Sequence, residues 1–392
     1  MGTTVKVHGM DGTLVEPDWT PLTMEEVRML LDQFPDCGKP VGIVTVSPRP
    51  FSAAGVVATE NGRVFVKRHH RNVRDREGLL EEHRFLEYLH AHGAQVPRVY
   101  ANPCGETAIE SGDWIYEVHE AHRGVDLYGN ALSWTPFHSA SHAHSAGQAL
   151  AQLHQAAEGF NAPRRQPRPL VASFTILAAE HPEAELNHYL VQRPALANHA
   201  AVRTCADGAL ELLAPFHAEL QPLLRSLAPL WTHNDLHASN LLWSDTGRNA
   251  EAKLVIDFGL ADRTNAVHDL AHAIERNIVE WLVLSQDANR PENVPIHFDH
   301  LRALLTGYEA VRPLAGAEAA ALAPMVALCH AEFALSEADY FLGILGSEEK
   351  AVMAYDGWFA GHARWFRSAR GEQLLNWLRQ WARDRNPQET TP

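Results

Sequence analysis

The sequence predicts an α+β chain in two unequal parts, a small sheet-rich N-terminal part and a larger, mostly helical C-terminal part. Three observations carry this. β-Branched runs cluster before residue 121, in VGIVTV (41–46), GVVATENGRVFVKRH (55–69) and DWIYEVHEA (113–121). Beyond about residue 138 the apolar spacing turns helical, in AGQALAQLHQ (146–155), ELLAPFHAELQPLLRSL (211–227) and VHDLAHAIERNIVEWLVL (267–284). The 392 residues, 46% hydrophobic and 21% charged, hold enough apolar material for two or three compact units.

Residues 1–120 form the expected N-terminal part, opened by a helix at about 22–34. There Thr23 and Glu26 make a capping box, and Val27, Leu30, Leu31 and Phe34 repeat at helical spacing. Asn61-Gly62 between two apolar runs signals a hairpin, so that a strand ends at Lys67. A second helix follows, with Asp75 as cap, an apolar face of Leu79, Leu80, Leu86 and Leu89, and Gly93 at its C-terminal end. Residues 121–384 form the helical part. Its exception is 241–260, where LLW and KLVIDF read as short strands around the polar turn SDTGRN. APRRQPRPL (162–170) is a loop, and 385–392 a frayed tail.

Net charge is −15, from 33 Lys+Arg against 48 Asp+Glu. This argues against a nucleic-acid partner, which needs a basic face, and leans towards a cationic or neutral small ligand. Cys37, Cys104, Cys205 and Cys329 are far apart and form no CxxC, so they are expected to be free thiols. The N-terminus lacks an apolar signal core, and no apolar run is read as a membrane span; a cytoplasmic location is expected.

The chemistry gathers in HNDLHASN (233–240) and IDFG (256–259). Phosphoryl transfer needs one carboxylate at the attacking hydroxyl, two oxygen ligands for Mg²⁺, a cation on the α/β-phosphates and an acid to hold that cation. Asp235 and Asn240 lie five apart in a tight loop, Asp257 ends the strand KLVI, Lys67 stands on a strand, and Glu82 is on the next helix.

This set resembles the protein-kinase-like small-molecule kinases of the aminoglycoside phosphotransferase and choline kinase superfamily. Their H-x-D-x-x-x-x-N loop and I-D-[FWY] are matched by His233, Asp235, Asn240 and Ile256-Asp257-Phe258. The likeness extends to EHRFLEYLHAHGAQVPRV (82–99), ALAQLHQ (149–155) and HDLAH (268–272) and spans roughly 20–370, and the early helix LTMEEVRMLLDQF with the loop pattern is similar to homoserine-kinase-like members. It implies a bilobal protein-kinase-like fold and a cofactor pair of ATP and Mg²⁺. Asp235 would then be the catalytic residue, Asn240 and Asp257 would bind metal, Lys67 would meet the phosphates, and Glu82 would hold Lys67. The backbone near Glu117 and His119 would bind adenine, and His233 would order the loop.

The chain departs from the pattern at the phosphate loop, SPRPFSAAG (47–55), which has one glycine; Ser47 and Ser52 are its candidate phosphate contacts. Asn234 stands where Gly is frequent, and no APE-like segment follows, which disfavours a protein kinase. His138, His142 and His144 have partial metal-ligand spacing but no carboxylate in register and are read as capping or solvated, and His119 and His122 are discounted for a spacing of three at a strand end. His154 is read as a hydrogen-bonded packing residue. The aromatics of 357–384 are more often core than ligand box, yet Trp358, His362 and Trp365, with His237 and Asp262, are the acceptor-side candidates. The expected function is an ATP-dependent transfer to a small-molecule hydroxyl, on an amino alcohol, homoserine-like amino acid, aminoglycoside or sugar. The rival is a catalytically inactive nucleotide-binding scaffold of the same fold.

Overall fold

The computed structural model describes residues 6–9, 12–121, 124–171, 173–286 and 290–385. The leading helix α1 (Met24–Leu31) begins at both halves of the predicted capping box: the Glu26 N–H donates to Thr23 Oγ1 at 3.2 Å, and the Thr23 N–H donates to the Glu26 carboxylate at 2.9 Å. It is shorter than predicted because a 3₁₀ turn, Pro35–Cys37, follows closely. Its face of Val27, Leu30 and Leu31 buries against Val57, Val66 and Val118 of a sheet.

That sheet contains β1 (Pro40–Val46), β2 (Ala53–Thr59), β3 (Gly62–His70), β4 (Ile109–Ser111) and β5 (Trp114–Glu120). Its order is β1-β2-β3-β5-β4, antiparallel throughout. The β2–β3 hairpin turns at Glu60-Asn61, one residue before the predicted pair, because Gly62 (φ +138°) already pairs with Thr59. Helix α2 (Arg76–Ala91) is capped by Asp75, whose carboxylate accepts the Gly78 N–H at 2.7 Å, and ends before Gly93 at φ +84°. It buries Glu82 and His83 along with Leu79, Phe85, Leu86 and Leu89.

The helical part contains α3 (Ala140–Ala157), α4 (Ala200–Leu224), α5 (Ala266–Ile278), α6 (Phe298–Val311), α7 (Gly316–Leu328), α8 (His330–Asp339) and α9 (Ala369–Arg385). Two short antiparallel pairs interrupt it: β6 (Pro229–Thr232) with β9 (Asp262–Asn265), and β7 (Leu241–Trp243) with β8 (Ala252–Val255). Helix α4 starts well before the predicted span and runs through Pro215 and Pro222. The 267–284 run breaks after Ile278 and resumes as the short helix Trp281–Gln286.

Helices α3 and α6 cross at glycines. A Cβ on Gly147 would lie 2.1 Å from the Leu304 oxygen, and one on Gly307 would lie 1.9 Å from the His144 oxygen. His142 bonds Tyr128 Oη at 2.7 Å and the Gly247 carbonyl at 2.9 Å, which is packing rather than metal chemistry. Gly316–Ile344 is long and apolar enough to cross a membrane, contrary to the sequence reading, but 94% of its most apolar window is buried, the placement of a core helix. All but the first residue of the expected tail lie outside the described residues.

Candidate active site

The loop after β6 is shaped from below. The Asp269 carboxylate accepts the N–H groups of His233 and Asn234, each at 2.8 Å. It also accepts from His154 Nε2 at 3.0 Å, while His154 Nδ1 meets Tyr308 Oη at 2.8 Å. His233 donates from Nε2 to the Ile256 carbonyl (2.9 Å) and accepts the Asp235 N–H at Nδ1 (3.2 Å), tying the two motif loops together. Asn234 has φ +61°, the left-handed region that Asn tolerates and Gly favours, which accounts for the asparagine at this position.

The loop leaves Asp235 and Asn240 side by side. Asn240 Nδ2 donates to the Asp235 carbonyl at 2.9 Å and to its Oδ2 at 3.2 Å, so its amide oxygen faces elsewhere. Asp257, also left-handed at φ +63°, puts Oδ1 2.8 Å from Lys67 Nζ. Burial opposes the charge on Asp257, but Lys67 overrides it and holds the carboxyl far below its ordinary range. Lys67 is pushed up in turn: burial opposes its charge, and Asp257, then Glu117 and Glu82, favour it. Desolvation opposes the charge on half-buried Asp235 as well, yet Arg276 and His237 hold it ionised; Arg276 Nη2 lies 3.3 Å from its Oδ1.

Two expected partnerships are corrected. Lys67 is held by Asp257, not by Glu82. Glu82 lies between two buried guanidinium groups, 3.9 Å from Arg74 Nε and 3.8 Å from Arg165 Nη2, which claim its charge. Glu117 and His119 line the larger compartment, but their backbone groups are used within the sheet. They pair with Lys67 and Phe65 along β3, while Val118 and Glu120 bond the segment at Tyr100 and Arg98. Past them, Ala121 and Gly124 border the cleft. The Glu117 side chain instead gathers three imidazoles, His69, His83 and His119, at 3.0, 2.8 and 2.8 Å, and is held well below its ordinary range against burial by the His119 charge and these bonds.

Two compartments meet at this point. The larger, about 390 Å³, lies between the sheet and β7–β8, with Ser47, Glu82, Asn240, Leu242 and Leu254 on its wall. The smaller, about 140 Å³, holds Asp235, His237, Trp134, Arg276, Phe333 and Glu337. Among the described residues four line both: Arg49, Ser52, Lys67 and Asp257. The Asp257 carboxylate and Lys67 amine thus lie where the compartments join, with Asn240 on one side and Asp235 on the other. Residues 53–328 match the sequence profile of the phosphotransferase enzyme family. The chain belongs to that family.

Solved structures agree in fold. An aminoglycoside phosphotransferase from Alicyclobacillus acidocaldarius is 15% identical, with 93% of this chain and 98% of that one covered at TM-score 0.51. A microcompartment-associated aminopropanol kinase is 17% identical, covering 89% and 99% at TM-score 0.57. The amicoumacin kinase hAmiN, solved with AMP-PNP, Ca²⁺ and its ligand Ami, is 15% identical, covering 91% and 93% at TM-score 0.50. No curated protein sequence matches the chain.

Of the acceptor-side candidates of this phosphotransferase, only His237 lines the smaller compartment. Asp262 is fully buried and accepts from Arg165 N, Arg263 N and Ser173 Oγ, so it ties a loop together. Trp358, His362 and Trp365 lie one layer back. Trp358 stacks on Trp134 at 5.2 Å, His362 faces Glu275 Oε1 at 3.1 Å, and Trp365 Nε1 bonds the Pro291 carbonyl at 3.2 Å. The wall itself is Trp134, Phe333, Arg276 and Glu337, which sequence reasoning missed. No local signal marked Glu275-Arg276, because a charge pair in a helical run reads as a solvated face, whereas every residue of α5 is buried. Arg49, also missed, was the cation in the glycine-poor phosphate loop; it bonds Ser133 Oγ (2.9 Å) and the Ala131 carbonyl (3.2 Å).

Proposed function

We propose that this chain transfers the γ-phosphoryl group of ATP to a hydroxyl of a small molecule, in the cytoplasm, with ATP in the larger compartment and the acceptor in the smaller. The observation that carries this is the junction: Lys67 and Asp257 line both compartments, while Asn240 faces one and its hydrogen-bonded neighbour Asp235 faces the other. Leu242 and Leu254 offer an apolar floor for the base, and Ala121 and Gly124 offer backbone groups at its edge. Lys67 and Arg49 neutralise phosphate charge, with Ser47 and Ser52 beside them. Asp257 and the Asn240 amide oxygen are hard donors suited to Mg²⁺, which when bound supplies charge neutralisation on the phosphates.

Asp235, held ionised by Arg276, accepts a hydrogen bond from the acceptor hydroxyl and aims it at the phosphorus. A strong base is not required, because the loose transition state of phosphoryl transfer draws mainly on positioning and electrostatics. Glu82 balances Arg74 and Arg165 and supports Lys67 only at longer range. The acceptor classes compatible with the family are amino alcohols, homoserine-like amino acids, aminoglycosides and sugars.

The test is ADP release over a panel of hydroxylated metabolites, with wild type and Asp235→Asn. The variant is expected to bind Mg²⁺-ATP normally and to lose at least about 100-fold in kcat. Retained turnover in the variant defeats the role of Asp235. Mg²⁺-ATP binding with no turnover on any acceptor favours the scaffold reading.

A further inference from the structure

The layer behind the acceptor wall holds three ligand-type side chains that no hydrogen bond satisfies. Glu275 on α5, His330 at the start of α8 and His362 on the short helix Gly361–Phe366 are 0%, 2% and 2% exposed. Both carboxylate oxygens of Glu275 and both ring nitrogens of each histidine, six atoms in all, are buried without a hydrogen-bond partner among the described residues. A buried polar group left unpaired is costly, and native interiors rarely leave several together.

Their geometry converges on a shared centre. Glu275 Oε1 lies 3.1 Å from His362 Nδ1 and 3.7 Å from His330 Nδ1. Each of the three groups offers a ligand atom, all within 4.8 Å of one another. At 3.1 Å the distance suits a hydrogen bond, yet the pair is not aligned for one. Two ligands of a tetrahedral ion, each about 2.0–2.1 Å from it, lie roughly 3.3 Å apart with their lone pairs aimed at the ion and not at each other. Burial pushes His330 well below its ordinary value and lowers His362, which keeps both rings in the neutral form that binds metal. Aromatic rings hold them in place: Trp281 stacks on His362 at 3.7 Å, and Trp134 meets His330 and His362 edge-on at 5.2 and 5.7 Å. The similar cluster of His83, Glu117 and His119 differs in kind, because there both imidazoles already hydrogen-bond the carboxylate at 2.8 Å.

We propose that Glu275, His330 and His362 form a structural site for one divalent transition-metal ion, and that two imidazoles with one carboxylate suit Zn²⁺. Imidazole ligands disfavour Mg²⁺, so this site is separate from the metal that accompanies the nucleotide. The ion ties α5, α8 and the helix Gly361–Phe366 together. It also fixes Glu275, whose second oxygen lies 3.7 Å from Arg276 Nε, so that the carboxylate stands between the two cations. Arg276 Nη2 in turn reaches Asp235 Oδ1 at 3.3 Å, which places the ion two side chains behind the catalytic carboxylate.

The experiment uses the full chain, purified without a histidine tag in metal-free buffer. Elemental analysis is expected to find about one zinc per chain, as isolated or after incubation with Zn²⁺ and desalting. Stripping with a strong chelator should lower Tm by about 5 °C relative to protein in Zn²⁺ at a hundredfold excess over Kd, and Zn²⁺ should restore it. Co²⁺-loaded protein should show the intense visible bands of a four- or five-coordinate ion. In folded His362→Gln the metal content should fall at least about fivefold, while His83→Gln keeps it. Metal content that survives His362→Gln, or that is lost from His83→Gln instead, overturns the proposal. So does a wild type that takes up no metal and keeps its Tm, which leaves buried water as the partner of the six atoms. If His362→Gln does not fold, the cobalt spectrum decides, and weak octahedral bands overturn the site. Every readout is of metal or stability, so none of these outcomes turns on the phosphotransferase reading.

Discussion

Replacing Glu337 by Gln should stabilise the protein, increasingly as pH rises from about 4.5 to about 8. Burial first, then Asp235 and Glu275, raise this carboxyl from 4.5 to about 8 against the pull of Arg276. The folded chain therefore keeps a proton that the unfolded chain releases. Below pH 4.5 both states hold the proton and Glu337 costs nothing. As pH rises towards 8, stability falls by about 1.4 kcal/mol per pH unit, because the unfolded state binds fewer protons. Between pH 5 and pH 8 the wild type loses roughly 4 kcal/mol relative to a variant with no such proton, a ceiling that local relaxation reduces. At about 2 °C per kcal/mol for a large chain, Glu337→Gln should exceed wild type in Tm by up to roughly 8 °C at pH 8 and by only about 1–2 °C at pH 5. Scanning calorimetry of both proteins across that range is the assay. A Tm difference that stays constant with pH refutes the premise that Glu337 is buried without a counterion.

Glu82→Gln leaves Arg74 without the carboxylate beside it, while Arg165 keeps Glu81 at 3.4 Å, and should destabilise by roughly 3 kcal/mol in denaturant unfolding. Because Glu82 supports Lys67 only at longer range, kcat of the folded variant should stay within about tenfold of wild type; a collapse of kcat would restore Glu82 as the lysine's partner. Asp257→Asn should weaken Mg²⁺-dependent ATP binding by roughly 100-fold or more in calorimetry, and unchanged affinity would exclude Asp257 as a metal ligand. Gly307→Ala places a Cβ against the His144 carbonyl and should cost at least about 2 kcal/mol, read as a lower denaturation midpoint with an unaltered m-value.

The backbone of the fold was readable where local chemistry decides it. The Thr23–Glu26 box, the Asp75 cap and the β2–β3 hairpin all signal themselves within a few residues. So did Lys67, Asp235, Asn240 and Asp257, because the motif spacing encodes a loop and a strand end. What was not readable depends on distant packing. Glu82 sits at the expected helical position, but its charge is claimed by Arg74 and by Arg165 from a remote loop, and sequence spacing carries no trace of that. The acceptor wall was misjudged by one layer. Trp358 and His362 are aromatic-patch residues that back the wall, whereas Trp134 and Glu337, isolated in sequence, form it. Helix α5 is buried on every side, so its Arg276 could not be distinguished by amphipathic pattern from a solvated arginine.

The contact between Lys67 and Asp257 has a thermodynamic corollary. Each is the other's counterion in this structure, at 2.8 Å. A polyphosphate arriving alone must pull the amine away and strand the carboxylate; a divalent ion arriving alone strands the amine. Only a ligand bringing both signs at once releases the two together without leaving either bare. Nucleotide and metal should therefore enhance one another's affinity reciprocally, and the chelate should be the species that opens the latch.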